Sequence, residues 1–242
     1  MITANARKGL PKIAVITCIT CGMDILHEPM KQSIDTDFFC FYDVMPQKEV
    51  RSAWRMLKAI HHPPIKRNGK LVAKWYKMQS HKIRKLSSYQ YILWVDGSVQ
   101  IKHRNFVRDM VHTTSNSICV FRHPWRNCLY AEYEKVKASS ECRVNDVLLN
   151  QIKAYAGIRY PAKNGLYCCT VLGRYRTERA DRVMDAWWEE INKYSMRDQI
   201  SFPYVLWKNR VHPDIFPGDI YKNRYIEKCS HTAYYYHCYR RT

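Results

Sequence analysis

The stretch YQYILWVDGS, residues 89–98, decides the fold. Residues 89–95 are rich in aromatic and β-branched side chains, which predicts a buried strand. The strand leads directly into Asp96-Gly97-Ser98, and an Asp-Gly pair is typical of a turn. Ligands of open α/β sheets bind at the carboxyl ends of the strands, so Asp96 lies where a site is expected. Its carboxylate could hold a divalent cation such as Mg²⁺ or Mn²⁺, or it could simply begin the turn.

Apolar runs on both sides of this stretch alternate with segments of helical spacing. The pattern predicts further strands at 12–20, 38–42, 117–121 and 166–172. It predicts helices at 50–60, 74–86, 105–111, 129–138, 145–156 and 179–194. Strands that alternate with helices indicate an α/β domain with helices on the faces of a sheet.

Composition limits the class of protein. A chain of 242 residues, 46% of them hydrophobic, can bury one substantial core. Its net charge of +19 favours nucleic acids, anionic lipid surfaces or phosphorylated small molecules as partners. The basic residues are dispersed and form no known nucleic-acid-binding motif, so we expect no stable nucleic-acid partner. Neither a membrane span nor a signal peptide is recognisable, which predicts a cytoplasmic protein that could contact an anionic membrane peripherally.

Ten cysteines lie mostly within apolar or aromatic runs, which favours buried reduced thiols over a disulfide framework. The spacing of Cys18 and Cys21 would suit zinc or redox chemistry. A zinc site could in principle be completed by Cys229, His231, His237 and Cys238. Their spacing matches no compact zinc module, so zinc is not the favoured interpretation.

The segment SMRDQ, residues 195–199, follows one predicted helix and opens another apolar stretch. Ser195 could cap a new helix, with Asp198 completing an arrangement close to a capping box. Alternatively, Asp198 and Gln199 face a ligand, because a carboxylate beside an amide can accept and donate hydrogen bonds to sugar hydroxyl groups.

Two basic segments could bind phosphate. RHPWRN, residues 122–127, contains arginines that could grip phosphate bidentately and a histidine, His123, that could donate to an oxyanion. Lys74, Lys77 and His81 recur at helical spacing and would share one face of a helix. A solvated basic loop or a solvated helix face would have the same pattern.

The sequence predicts three parts: a basic tail at 1–11, the α/β domain at 12–212, and an aromatic and basic segment at 213–242 that packs on the site or closes it. Within the last part, His231 could complete a metal site that begins at Asp96. A lone histidine is more often structural. The tyrosines around it could pack on the core, contact a lipid headgroup or stack on a base.

Seven motifs in order carry a resemblance to a known family. They are AVITCITCGMD, FFCFYD, AKWYKMQSHKI, YILWVDGSVQI, FRHPWRNCLYAEYEKV, NGLYCCTVLGR and WWEEINKYSMRDQISFPYVLWK. Together they cover about residues 12–208, and in them the chain resembles the TOD1/MUCI70 glycosyltransferase-like family. The resemblance implies a single GT-A-like, Rossmann-like domain with a mixed, mostly parallel central sheet flanked by helices.

The resemblance also implies an activity and a site. The activity would be metal-dependent transfer of a sugar from a UDP- or GDP-sugar to a glycan or lipid-linked glycan, as in surface polysaccharide or glycoconjugate synthesis. The nucleotide-sugar would be bound by Thr17, Thr20, Asp24, Lys77, His81, Asp96, Gly97, Ser98, His123, Arg126 and Asn127. Mn²⁺ or Mg²⁺ would be held by Asp96, Ser98 and His231. The usual Asp-X-Asp metal motif is here Asp96-Gly97-Ser98, which lacks the second carboxylate.

Asp198 and Gln199 would be the catalytic residues. In an inverting enzyme Asp198 would deprotonate the acceptor hydroxyl, whereas in a retaining enzyme Asp198 or Gln199 would shield an oxocarbenium-like centre. The alternative to an enzyme is a nucleic-acid or polyanion binder on an α/β scaffold. A lipid hydrolase ranks behind both, because no Ser-His-Asp or zinc-hydrolase pattern is present.

Overall fold

Two adjacent parallel strands, β1 (Ile13–Ile19) and β4 (Tyr91–Val95), form the centre of the sheet. The computed structural model describes residues 10–46, 52–60, 69–138 and 146–231. Every residue of β1 and β4 is buried. Strands that are covered by protein on both faces need apolar side chains throughout, and this explains why both sequences are continuous apolar runs.

The other elements follow in chain order. The remaining strands are β2 (Asp37–Tyr42), β3 (Trp54–Lys58), β5 (Val99–Ile101), β6 (Ile118–Arg122), β7 (Tyr167–Tyr175), β8 (Asp214–Phe216) and β9 (Ile226–Lys228). The helices are α1 (Gly69–Met78), α2 (Phe106–Thr113), α3 (Leu129–Lys137), α4 (Asp146–Gly157), α5 (Glu178–Lys193) and α6 (Asp198–Lys208).

In the described ranges seven strands form the main sheet, in the order β3-β2-β1-β4-β7-β6-β8. Only β7 runs antiparallel to its neighbours. Alternate side chains enter two separate cores, one beneath α1 and α3–α6 and the other beneath α2. The prediction of a single Rossmann-like α/β domain with a mixed, mostly parallel sheet is therefore confirmed.

The strand order reverses between β1 and β4. From β1 the chain proceeds to β2 and β3 on one side, and then crosses to β4 on the other side. Such a switch point opens a crevice at the carboxyl ends of the two strands. The residues that follow these ends are Thr20 and Asp96, so the topology itself selects this edge of the sheet as the place for a ligand.

Two predicted helices were wrong in part. The predicted helix at 50–60 contains β3, whose backbone pairs with β2, and Trp54 packs its ring against Phe38 at 5.2 Å; residues 50 and 51 lie outside the described ranges. Tertiary pairing overrides the helical spacing there.

The predicted helix at 74–86 ends at Met78 and continues as two short 3₁₀ turns. Arg176 donates to the carbonyl oxygens of His81 and Leu86 in that segment.

The predicted cap at Ser195 was also wrong. The residue at the N-cap of α6 is Arg197, and the Ser195 hydroxyl instead donates to Gln151 Oε1 at 2.6 Å. Gln151 is fully buried, and its amide in turn donates to the Tyr155 hydroxyl. The hydroxyl of Ser195 satisfies this buried amide, so it is not available to cap the helix.

The sheet extends past residue 212, where the sequence places the domain boundary, because β8 pairs with β6. Further on, β9 pairs with β5, and Cys229 N donates to Ser98 O at 2.7 Å. The segment up to residue 231 is thereby held beside Asp96-Gly97-Ser98. No helix in the described part of the chain is both long and apolar enough to cross a bilayer.

Gly173 of β7 offers a test of the core packing. A Cβ at this position would collide with the Tyr91 hydroxyl and lie 3.0 Å from Met110 Cε. We expect Gly173→Ala to lower the free energy of unfolding by about 2 kcal/mol through overpacking, as measured by urea denaturation. Gly157→Ala is the matched control, because a Cβ there meets nothing within 4 Å. Equal stability of the two variants would contradict the described packing.

Candidate functional site

Asp96 is the acidic residue at the switch point. Trp94, two residues earlier on the same face of β4, donates its indole N–H to Asp96 Oδ1 at 2.6 Å. The ammonium group of Lys77 lies 3.5 Å from the same oxygen. The Asp96 side chain nevertheless stays 37% exposed. The Asp96 carboxylate is thus held in place through Oδ1, and the side chain is open to a ligand at the edge of the sheet.

Lys77 of α1 is buried, and its side chain contacts α6 and the end of β4. Its side chain is 4% exposed, and its ammonium donates to Asp198 Oδ2 at 2.8 Å. Lys74, one turn earlier on α1, donates to Asp198 Oδ1 at 2.5 Å. The Lys77 ammonium also lies over the rings of Trp94 and Trp187, at 5.7 and 5.8 Å from their centroids. The two carboxylates and the two rings compensate for its loss of water.

The ionisation of this cluster follows from its pairing. Burial alone would lower the pKa of Lys77, but Asp198 and Asp96 raise it above its usual value. Burial alone would raise the pKa of Asp198, but Lys74 and Lys77 outweigh it and lower that pKa to about 2. Asp198 and Lys77 are therefore both charged at neutral pH. A carboxylate with so low a pKa is a weak proton acceptor.

His231 and Asp24 lie on the other side of the Asp96-Gly97-Ser98 turn. His231 Nδ1 is 2.5 Å from Asp24 Oδ1. Asp24 itself lies against Gly97, where an added Cβ would be only 2.7 Å from Asp24 Oδ2. The absence of a side chain at Gly97 lets Asp24 approach the turn. The carboxylate of Asp24 orients the imidazole through Nδ1.

The predicted phosphate-binding loop after β6 forms a cluster of its own. The His123 ring accepts from the backbone N–H groups of Trp125 and Arg126 through Nδ1, at 3.3 and 3.2 Å. The Glu132 side chain is 1% exposed and accepts from Arg126 and from Arg197, each at 2.7 Å. Burial, followed by the charge of Arg126, lowers the pKa of His123. These groups bond one another, and Arg197 directly precedes Asp198.

Two of the predicted ligand contacts are buried within the protein, and a third pairs with other side chains. Thr17 is 1% exposed within β1, and its hydroxyl has no hydrogen-bond partner in the described chain. Thr20 is fully buried and donates to Gly69 O at 2.8 Å. The ring of His81 lies 3.1 Å from Asp185, beside Arg174, which pairs with Ile92 near the start of β4. His81 is therefore engaged with Asp185 and Arg174.

The structure brings the other predicted residues together at one edge of the sheet. Around Asp96 it assembles Asp24, Lys77, Gly97, Ser98, Asp198 and His231. Gln199 is half-buried in the first turn of α6. Asn127 is exposed in the loop after β6, where its carbonyl accepts from Gly165 N at 3.0 Å. The Ser98 side chain is buried, and its carbonyl anchors the segment that carries His231.

Sequence reasoning missed the residues that organise these groups. The contact between Trp94 and Asp96 could have been predicted, because Trp94 lies two residues before Asp96 on a strand and therefore on the same face. Glu132 follows the basic segment 122–127 closely in the sequence, and its pairing with Arg126 is local. Its pairing with Arg197 spans 65 residues and could not be predicted. Lys74 shares a helix face with Lys77, as its spacing predicts, but the carboxylate between them comes from α6.

Zinc chemistry finds little support at the first cysteine pair. Cys18 is buried in β1, and burial raises its pKa, whereas a zinc ligand must lose its proton. Cys21 N donates to Asp43 Oδ1 at 2.8 Å. His237 and Cys238 lie outside the described residues. Within the described ranges, no three His, Cys, Asp or Glu side chains are grouped so that they could hold a metal ion by themselves.

The fold and the site define the class of protein. A Rossmann-like, mostly parallel sheet with a carboxylate at its switch point is a ligand-binding α/β scaffold. The chain belongs to the family described as TOD1/MUCI70, glycosyltransferase-like domain, whose match covers residues 5–231. This confirms the resemblance drawn from the motifs and gives the chain a general glycosyltransferase role, with a sugar donor and an acceptor as partners. No curated protein matches the chain.

The pairing of Asp198 predicts a pH-dependent contribution to stability. Asp198→Asn would leave the buried Lys77 ammonium short of a negative charge and should lower the free energy of unfolding at pH 7 by about 3 kcal/mol. The folded-state pKa of about 2 lies below the ordinary value near 4. The difference between wild type and variant should therefore be complete above pH 4 and decline as the pH falls towards 2.

Urea denaturation between pH 3 and 7 measures this difference. The matched control is Glu178→Gln, which breaks a solvent-exposed ion pair with Arg182 on α5. We expect the control to change stability little, because exposed pairs are screened by water. Equal stability of Asp198→Asn and wild type at pH 7 would contradict the assigned pairing.

Proposed function

We propose that this protein transfers a sugar from a nucleotide diphosphate sugar to a hydroxyl group of a glycan acceptor, with Mn²⁺ or Mg²⁺ as cofactor. The observation that carries the proposal is the arrangement at the switch point. There Asp96 presents a carboxylate, and the Asp24–His231 pair lies against the neighbouring Gly97. An acidic residue and an oriented imidazole beside a crevice suit a diphosphate with its cation.

The described residues supply only part of a donor set, so the cation would have to arrive with the nucleotide. A ligating histidine usually donates its other ring N–H to a carboxylate, which is the relation of His231 Nδ1 to Asp24. His231 Nε2 and an oxygen of Asp96 would then hold the cation. Two protein ligands are few, but Mg²⁺ commonly binds one or two carboxylates together with substrate phosphates. Ser98, whose side chain is buried, would position His231 through the backbone contact with Cys229.

Positive charge at this edge would stabilise the leaving diphosphate. Bound Mn²⁺ or Mg²⁺ would supply part of that charge. Lys74 is the other source, because its side chain is 20% exposed while Lys77 is buried beneath Asp96. Preorganised charges act most strongly where negative charge develops, and here that is the departing phosphate. Asp198 holds both ammonium groups in place and so contributes indirectly.

The low pKa of Asp198 argues against its expected role as the base. A carboxylate that accepts hydrogen bonds from two lysines is stabilised in its ionised form, so it removes a proton from an acceptor hydroxyl poorly. Both of its oxygens are bonded to ammonium groups, so Asp198 would act by positioning the two lysines. Gln199, in the same turn of α6, would face the donor sugar.

The alternative function is binding of nucleic acid or another polyanion, which the net charge of +19 favours. The cations nearest the crevice argue against it. Lys77, Arg126 and Arg197 are each engaged with a buried carboxylate, Asp198 or Glu132. Binding of a polyanion depends on exposed cations that replace condensed counterions.

Calorimetric titration of UDP and GDP, with and without Mn²⁺, tests the proposal. We expect one nucleotide to bind at least tenfold more tightly with Mn²⁺, and Asp96→Asn to abolish that gain. Asp35→Asn is the matched control, since Asp35 is exposed and lies before β2, at the opposite edge of the sheet. Absence of nucleotide binding, together with steeply salt-dependent binding of heparin, would favour the polyanion binder.

The Asp24–His231 pair provides a second test. Asp24→Asn keeps the shape of the side chain but removes the charge that orients the imidazole. We expect the affinity for Mn²⁺ in the presence of the nucleotide to fall by about 10- to 100-fold. Binding of the nucleotide without metal should be unchanged. An unaltered Mn²⁺ affinity would exclude His231 as an oriented ligand.

A further inference from the structure

An exposed aromatic pair lies at the carboxyl end of β6, on the edge of the sheet that carries Asp96. Trp125 is 66% exposed and Tyr221 is 47% exposed. Their rings are stacked, with centroids 5.2 Å apart and planes inclined by 12°. Two large rings that are stacked on each other but open to water mark a place where a ligand can bury apolar surface.

The indole of Trp125 is held in place before any ligand arrives. Its backbone N–H donates to the buried His123 ring, which also meets the indole edge-on at 5.7 Å between centroids. Arg126, the next residue, is tied to the buried Glu132. A rigid aromatic side chain loses little conformational entropy on binding. The loop after β6 therefore presents a preorganised platform.

One face of this platform is available to a ligand. Tyr221 covers one face of the indole, and the ammonium of Lys228 lies 5.3 Å from the centroid of the Tyr221 ring. Trp125 remains largely exposed even though Tyr221 stacks on its indole. Asn127, two residues after Trp125 in the same loop, is also exposed, so a flat apolar face with a polar neighbour can bind a ligand that has both C–H and hydroxyl groups.

The platform is connected to the proposed metal site. Lys228 is the last residue of β9, and the next residue, Cys229, donates to Ser98 O. Within the sheet, β6 is separated from β4 by β7 alone, so the two carboxyl ends are about 10 Å apart. The nucleoside would occupy the β1–β2 side of the switch point, as in other Rossmann-like sheets. The β6 side is left for the acceptor.

We propose that Trp125, backed by Tyr221, forms an acceptor subsite that stacks on a sugar ring of a glycan chain. A pyranose ring has an apolar C–H face, which the indole would cover, and rim hydroxyl groups, which Asn127 would reach. The assignment of the glycan as acceptor rests on the proposed function. The stacking itself depends only on the geometry of the platform.

Calorimetry with four hexasaccharides, of glucose, mannose, xylose and a uronic acid, tests the subsite. We expect wild type to bind at least one of them, and Trp125→Ala to bind it at least tenfold more weakly, which corresponds to about 1.4 kcal/mol. Trp125→Phe should recover part of the affinity. The matched control is Trp207→Ala, at an exposed tryptophan near the end of α6. Binding of UDP with Mn²⁺ should be the same in all four proteins.

The outcomes separate this subsite from the proposed function. Loss of glycan binding in Trp125→Ala without any binding of UDP or GDP would support the platform and contradict the transferase. Binding of none of the hexasaccharides to wild type, or equal binding to Trp125→Ala, would overturn the subsite. Binding of oligothymidylate that is lost in Trp125→Ala, without glycan binding, would identify a platform for bases and would also overturn it.

Discussion

The buried ammonium group of Lys77 is the constraint on which the site depends. A charge that is removed from water must be paired, and Lys77 pairs with Asp198 on α6 and with Asp96 after β4. This pairing connects α1, α6 and the end of β4 at the switch point. The apolar cores allow several arrangements of helices on a sheet, whereas a shared buried ion pair allows few, so the carboxylate at the crevice has a defined position.

A second polar centre, around Glu132, organises the neighbouring strand end. Glu132 joins Arg126 of the loop after β6 to Arg197, the residue before Asp198. The two centres therefore meet at the start of α6. The centre around Lys77 orients the groups proposed to bind the diphosphate, and the centre around Glu132 holds the loop that presents Trp125. Because both centres are attached to the start of α6, the proposed donor side and acceptor side can keep a fixed position relative to each other.

Much of the fold could be predicted from the sequence where local pattern and tertiary environment agree. The apolar run of β4 and its Asp-Gly end predicted a central strand and the edge that carries the site. Prediction failed where long-range contacts decide the backbone. Residues 54–58 have helical spacing but pair with β2, and residues after Met78 leave the α-helix where Arg176 binds their carbonyl groups. Neither partner is a near neighbour in the sequence.

The sequence by itself determined the family, the α/β class and the acidic turn at Asp96, because ordered motifs and the period of apolar residues are local properties of the chain. Only the tertiary structure decided what each polar side chain does. It paired Asp198 with two lysines, buried Thr17 and Thr20, and placed His81 against Asp185 and His231 against Asp24. Charge pairing and burial depend on residues up to 207 positions apart, and no local pattern encodes such a distance.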